Sequence, residues 1–96
     1  MSFDSHDQLR RELAEERAAA LLRISRTLES LINQLDVLAA RIASGGRQAA
    51  DVAAYRDVRG EALRYRWYLE VQREALGIRQ HRVLDEFYRI PGPITE

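Results

Sequence analysis

With 96 residues, the chain is long enough for one small domain and too short for a large enclosed core with a deep cleft. Ala, Leu, Arg and Glu make up about half of it, the composition of long helices, and 46% hydrophobic against 31% charged residues excludes disorder as the default. Fifteen Arg balance fifteen Asp plus Glu, so no net field draws in nucleic acid or an anionic membrane, and the absence of Cys removes disulfides, thiol catalysis and cysteine metal sites.

The polar, acidic start Asp4-Ser5-His6-Asp7 differs from the basic then apolar opening of a secretory signal, and no run approaches the roughly 18 apolar residues of a membrane span. Residence in the cytoplasm, away from membranes, is therefore expected. A first helix is expected over about 5–44, opened by Ser5 and Gln8 as a capping box beside Asp4 and Asp7. Within it Leu21, Ile24, Leu28, Leu31, Leu35, Leu38 and Ile42 follow an unbroken alternation of three and four, which keeps one apolar seam facing a partner helix. Leu9, Leu13 and Ala20 fall out of that frame, so the supercoil is expected to loosen toward the start.

Ser44-Gly45-Gly46 is the strong breaker near the middle, with Gly45 as the expected left-handed residue of a turn at 44–46. A second helix of nearly equal length is expected over about 47–89, with Tyr55, Ala62, Leu69, Leu76, Val83 and Ile90 as its best seven-residue repeat. Gly60 and Gly77 then lie inside that helix, marking close backbone approach or a kink. Pro91 and Pro93 end it, and the tail 90–96 is expected to be extended and frayed, with docking on a partner groove as the other reading. The fold class is thus all-α: an antiparallel two-helix hairpin of coiled-coil type forming a single domain over 1–96. Residues whose numbers sum to about 91 should meet, placing Leu28 by Leu63, Ile24 by Trp67 and Leu13 by Ile78, with the acidic start near Arg79, Arg82 and Arg89. Apolar residues off the seams, including Leu22, Ile32, Val71 and Ile78, stay wet in a lone hairpin, so pairing of two copies into a four-helix bundle with two-fold symmetry is expected.

Three constellations carry possible function. The first is a protein-interaction surface on helix two made by Leu63, Tyr65, Trp67, Tyr68, Val71 and Ile78, because aromatics are common interface anchors. The second is RNA or single-stranded DNA binding by Arg59, Arg64, Arg66 and Arg73 together with the neighbouring aromatics, set against intrahelical ion pairs with Glu61, Glu70 and Glu74. The third is a divalent metal held by His6, His81 and Asp85 at the open end of the hairpin. No phosphate loop, nucleophile elbow or Ser, His and Asp cluster is present, so neither an enzyme nor a cofactor nor a small-molecule substrate is expected. The expectation is a scaffold, adaptor or small chaperone that binds itself and another protein.

Overall fold

The structure is a computed structural model that describes residues 2–94, with the side chains of 4–94. Its helices are α1 (Ser2–Gly45), α2 (Ala49–Ala75) and α3 (Arg82–Phe87), and no strand occurs among the described residues. At about 1.5 Å per residue α1 runs roughly 66 Å, which accounts for the long dimension of a 68 × 22 × 15 Å rod. No helix is long and apolar enough to cross a membrane among the described residues.

α1 starts at Ser2, ahead of the expected Ser5, because Asp4 sits in its first turn and nothing there breaks the helix. The Ser5–Gln8 box does not form. The Gln8 amide Nε2 instead donates to Glu12 Oε1 at 3.4 Å, one turn further on. At the other end Gly45 stays helical and Gly46 takes the left-handed conformation, φ 76°, one residue later than expected. The Arg47 amide then reaches back to the Ile42 carbonyl at 3.2 Å, satisfying one of the carbonyls that a helix end leaves without a partner. Arg47 itself holds φ 61°, so two consecutive left-handed residues reverse the chain.

α2 packs antiparallel on α1, and Arg41 meeting Asp51 at 3.4 Å agrees with the expected register to within a residue. The core forms where the α1 seam faces the α2 repeat: Leu28, Leu35, Leu38 and Ile42 bury against Tyr55, Ala62 and Leu69. Leu28 and Leu35 are fully buried, each stabilising the hairpin by about 1.5–3 kcal/mol. The expected meeting of Leu28 with Leu63 and of Ile24 with Trp67 does not occur in that form, since Ala62 takes the buried place while Leu63 and Trp67 stay exposed.

The largest departure from expectation is the second helix, which ends at Ala75 instead of continuing to residue 89. Gly77 is the cause. With φ 86° it donates to the Glu74 carbonyl at 2.9 Å, and Ile78 donates to Arg73 at 3.0 Å. This pair of bonds closes a helix around a left-handed residue. The chain then turns into α3 and runs back along the hairpin as an extended strap. Leu84 is buried in the core, and Tyr88, Ile90 and Ile94 pack against it, as does Ile32 of α1. The segment 90–94 is therefore docked, not frayed; Thr95 and Glu96 lie outside the described residues.

The two arms are consequently unequal. α2 covers roughly 40 Å of α1, and residues 4–19 of α1 are exposed throughout, including Leu9 and Leu13. Leu13 and Ile78 are both exposed, and no ion pair joins Asp4, Asp7, Glu12, Glu15 or Glu16 to Arg79, Arg82 or Arg89 among the described residues.

Candidate functional site

Helix α2 is held on two sides. Tyr55, Ala62 and Leu69, seven residues apart, seat it on α1. Beside that stripe a second seven-residue series, Arg59, Arg66 and Arg73, holds the returning chain. Arg59 Nε donates to the Pro91 carbonyl at 2.8 Å, Arg66 Nη2 pairs with Asp85, and Arg73 Nη2 donates to the Gln80 carbonyl at 2.9 Å. The Tyr55 hydroxyl extends the series by donating to the Gly92 carbonyl at 2.8 Å. The partners descend in number as the donors rise, the register of an antiparallel clasp.

The outer face of α2 is what remains. Leu63, Trp67 and Val71 recur every four residues and share one stripe, at 44%, 59% and 40% exposure. The Trp67 ring lies 5.7 Å from that of Tyr68, which in turn meets Tyr65 edge-on at 5.3 Å. Tyr65 packs against the core and Tyr68 is half-buried. The three rings thus form a contiguous aromatic cluster that runs from the core to the exposed tryptophan.

Toward the turn the same face continues with small residues, Ala49, Ala53 and Gly60, all exposed. There Ala49, Val52 and Ala53 floor a shallow hollow rimmed by Arg47 and Arg56. Sequence reasoning missed this feature, although the spacing of Ala49 and Ala53 by four, in phase with the Trp67 stripe, is visible in the chain. Of the six residues expected to form an interaction surface, Leu63, Trp67 and Val71 form the stripe, Tyr65 and Tyr68 support it from the core side, and Ile78 stands apart beyond Gly77.

No protein-family model, no curated protein and no solved structure matches this chain.

The other two constellations fare differently. Arg64 pairs with Glu61 at 2.7 Å, as the intrahelical alternative expects, while Arg59, Arg66 and Arg73 are taken up by the clasp. Arg66 also approaches Glu70 at 3.9 Å, and its Nε is buried without a hydrogen-bond partner. The metal constellation is not assembled: His81 Nε2 lies 3.0 Å from Glu74 Oε1, Asp85 is engaged by Arg66, and His6 is exposed on the overhanging start of α1. Among the described residues no group of three or more His, Asp or Glu is arranged to hold a metal ion. The physical reason is the turn at Gly77, which carries His81 and Asp85 away from the straight helix on which the expectation placed them.

Proposed function

We propose that the chain is a non-enzymatic protein–protein interaction module, a self-associating helical hairpin that works in the cytoplasm as a scaffold, adaptor or small chaperone. Its contact surface is the outer stripe of α2 centred on Trp67, and two hairpins joined there bring four helices together as a bundle. The observation that supports this reading is the setting of Trp67. It is the most exposed aromatic on α2, flanked by Leu63 and Val71, on a helix whose other sides are fixed by α1 and by the clasp. An exposed indole flanked by apolar neighbours resembles the anchors that dominate binding energy in protein interfaces.

The arginines argue for a polypeptide partner over a nucleic acid, because phosphate would compete with contacts that hold the returning chain in place. The reading is tested by placing a photo-crosslinking side chain at position 67 and, separately, by Trp67→Ala. Crosslinks to a polypeptide and loss of capture in the alanine variant are expected. Capture that is unchanged by Trp67→Ala counts against this surface.

A further inference from the structure

Resting on that reading and fixing how the two copies meet, we propose that a second copy of this chain covers the Trp67 stripe in one defined register. The two α2 helices pack antiparallel about a two-fold axis at Gly60. Trp67 of each copy enters the hollow that Ala49, Val52, Ala53, Arg47 and Arg56 form on the other.

A two-fold contact requires that each feature and its complement lie on one face at equal distances from the axis. The outer face of α2 meets that requirement in size and in charge. Trp67 stands seven residues after Gly60 and Ala53 seven before it; Val71 stands eleven after and Ala49 eleven before. Folding the face over at Gly60 therefore lays Trp67 of one copy against Ala53 of the other, and Val71 against Ala49. Seven residues are about 10 Å along a helix, close enough to the axis for contact when helices cross at the shallow angle of about 20° common in bundles.

Gly60 supplies the close approach. Beyond the local backbone of α2 itself, no atom lies within 4 Å of the place its Cβ would occupy, so the single chain makes no packing use of the missing side chain. At a crossing point the lack of a Cβ lets two backbones come together. Charge follows the same symmetry. Arg64 and Asp57 lie on one edge of the face, on either side of Gly60, and both are exposed. Pairing sets Arg64 of each copy opposite Asp57 of the other. The indole, once seated, lies between the guanidinium groups of Arg47 and Arg56 at the rim, a favourable setting for the face of a tryptophan. A net formal charge of zero opposes no such association.

The test is the solution mass of the full chain by light scattering at two widely separated concentrations, with helix content followed by circular dichroism. A mass twice that of one chain is expected at the higher concentration. Trp67→Ala and, independently, Ala53→Trp, which fills the hollow, are expected to return it to the mass of one chain with helix content unchanged. Arg64→Asp or Asp57→Arg alone is expected to weaken association by about tenfold, and the two together to restore it. A dimer that survives Trp67→Ala overturns the proposal. So does a single-chain mass at both concentrations, which also removes the self-association proposed above: crosslinking from position 67 to a different polypeptide then leaves only the interaction surface standing, and the absence of any crosslink removes that as well.

Discussion

Gly46 and Gly77 hold φ of 76° and 86°, where a side chain meets the following carbonyl and each L-residue is disfavoured by about 1–2 kcal/mol. Gly60 lies within α2 with open space where a Cβ would stand. The three glycines therefore respond in opposite directions to the same substitution. Gly46→Ala and Gly77→Ala are each expected to lower stability by about 1–2 kcal/mol. Gly60→Ala is expected to raise the stability of the dilute single chain by up to about 1 kcal/mol, through the better helix propensity of Ala. Urea unfolding followed by circular dichroism at low protein concentration measures all three, and a Gly77→Ala variant as stable as the parent would contradict the assigned end of α2.

At the scale of elements, the returning segment is the part that distinguishes this fold from a plain hairpin. Leu84 joins the buried core that the two long helices form, so Leu84→Ala is expected to cost about 2–5 kcal/mol, the range for a buried leucine. Tyr55→Phe removes one hydrogen bond to the Gly92 carbonyl and is expected to cost only about 0.5–1.5 kcal/mol. Thermal unfolding of the two variants orders them, and a Leu84→Ala change no larger than that of Tyr55→Phe would mean the segment does not support the core. Asp85→Asn touches an exposed partner of Arg66, so a smaller effect still is expected, below about 1 kcal/mol. The hairpin was readable from the chain because α1 states its seam seven times over, and Tyr55, Ala62 and Leu69 answer it. The return was not, for two reasons. Leu76, Val83 and Ile90 continue the repeat of α2 in number after the helix has ended, so periodicity argues for a helix that Gly77 alone terminates. The seven-residue series of Arg59, Arg66 and Arg73 is plain in the sequence, yet two of its three partners are backbone carbonyls, which every residue carries and no pattern marks. The Trp67 stripe was legible as a surface because an aromatic opposite the core repeat has nowhere to bury; the hollow near the turn was not, since alanines on an exposed helix read as ordinary helix formers.

At the scale of the whole molecule, the early end of α2 leaves α1 to continue alone. Residues 4–19 are exposed on every side and gain nothing from the core, while the same helix from Leu21 onward is fixed by it. Backbone hydrogen bonds in such an overhang open with little free energy, because each broken turn exposes no buried apolar surface. Helicity there persists by propagation from the packed part of α1, which removes the unfavourable nucleation step that makes short isolated helices marginal. Amide exchange is therefore expected to rise steeply from about Ala20 toward the start, with the amides of Leu28 and Leu35 the slowest in α1. Removing the first 16 residues is expected to reduce the helical signal in proportion to their number and to leave the unfolding midpoint of the remainder within a few degrees. The same deletion leaves the outer face of α2 untouched, so it is also expected to preserve any association through Trp67. If the shortened chain instead loses its dimer or melts far below the parent, the exposed Leu9 and Leu13 of the overhang are in contact with a second chain, and self-assembly runs through α1.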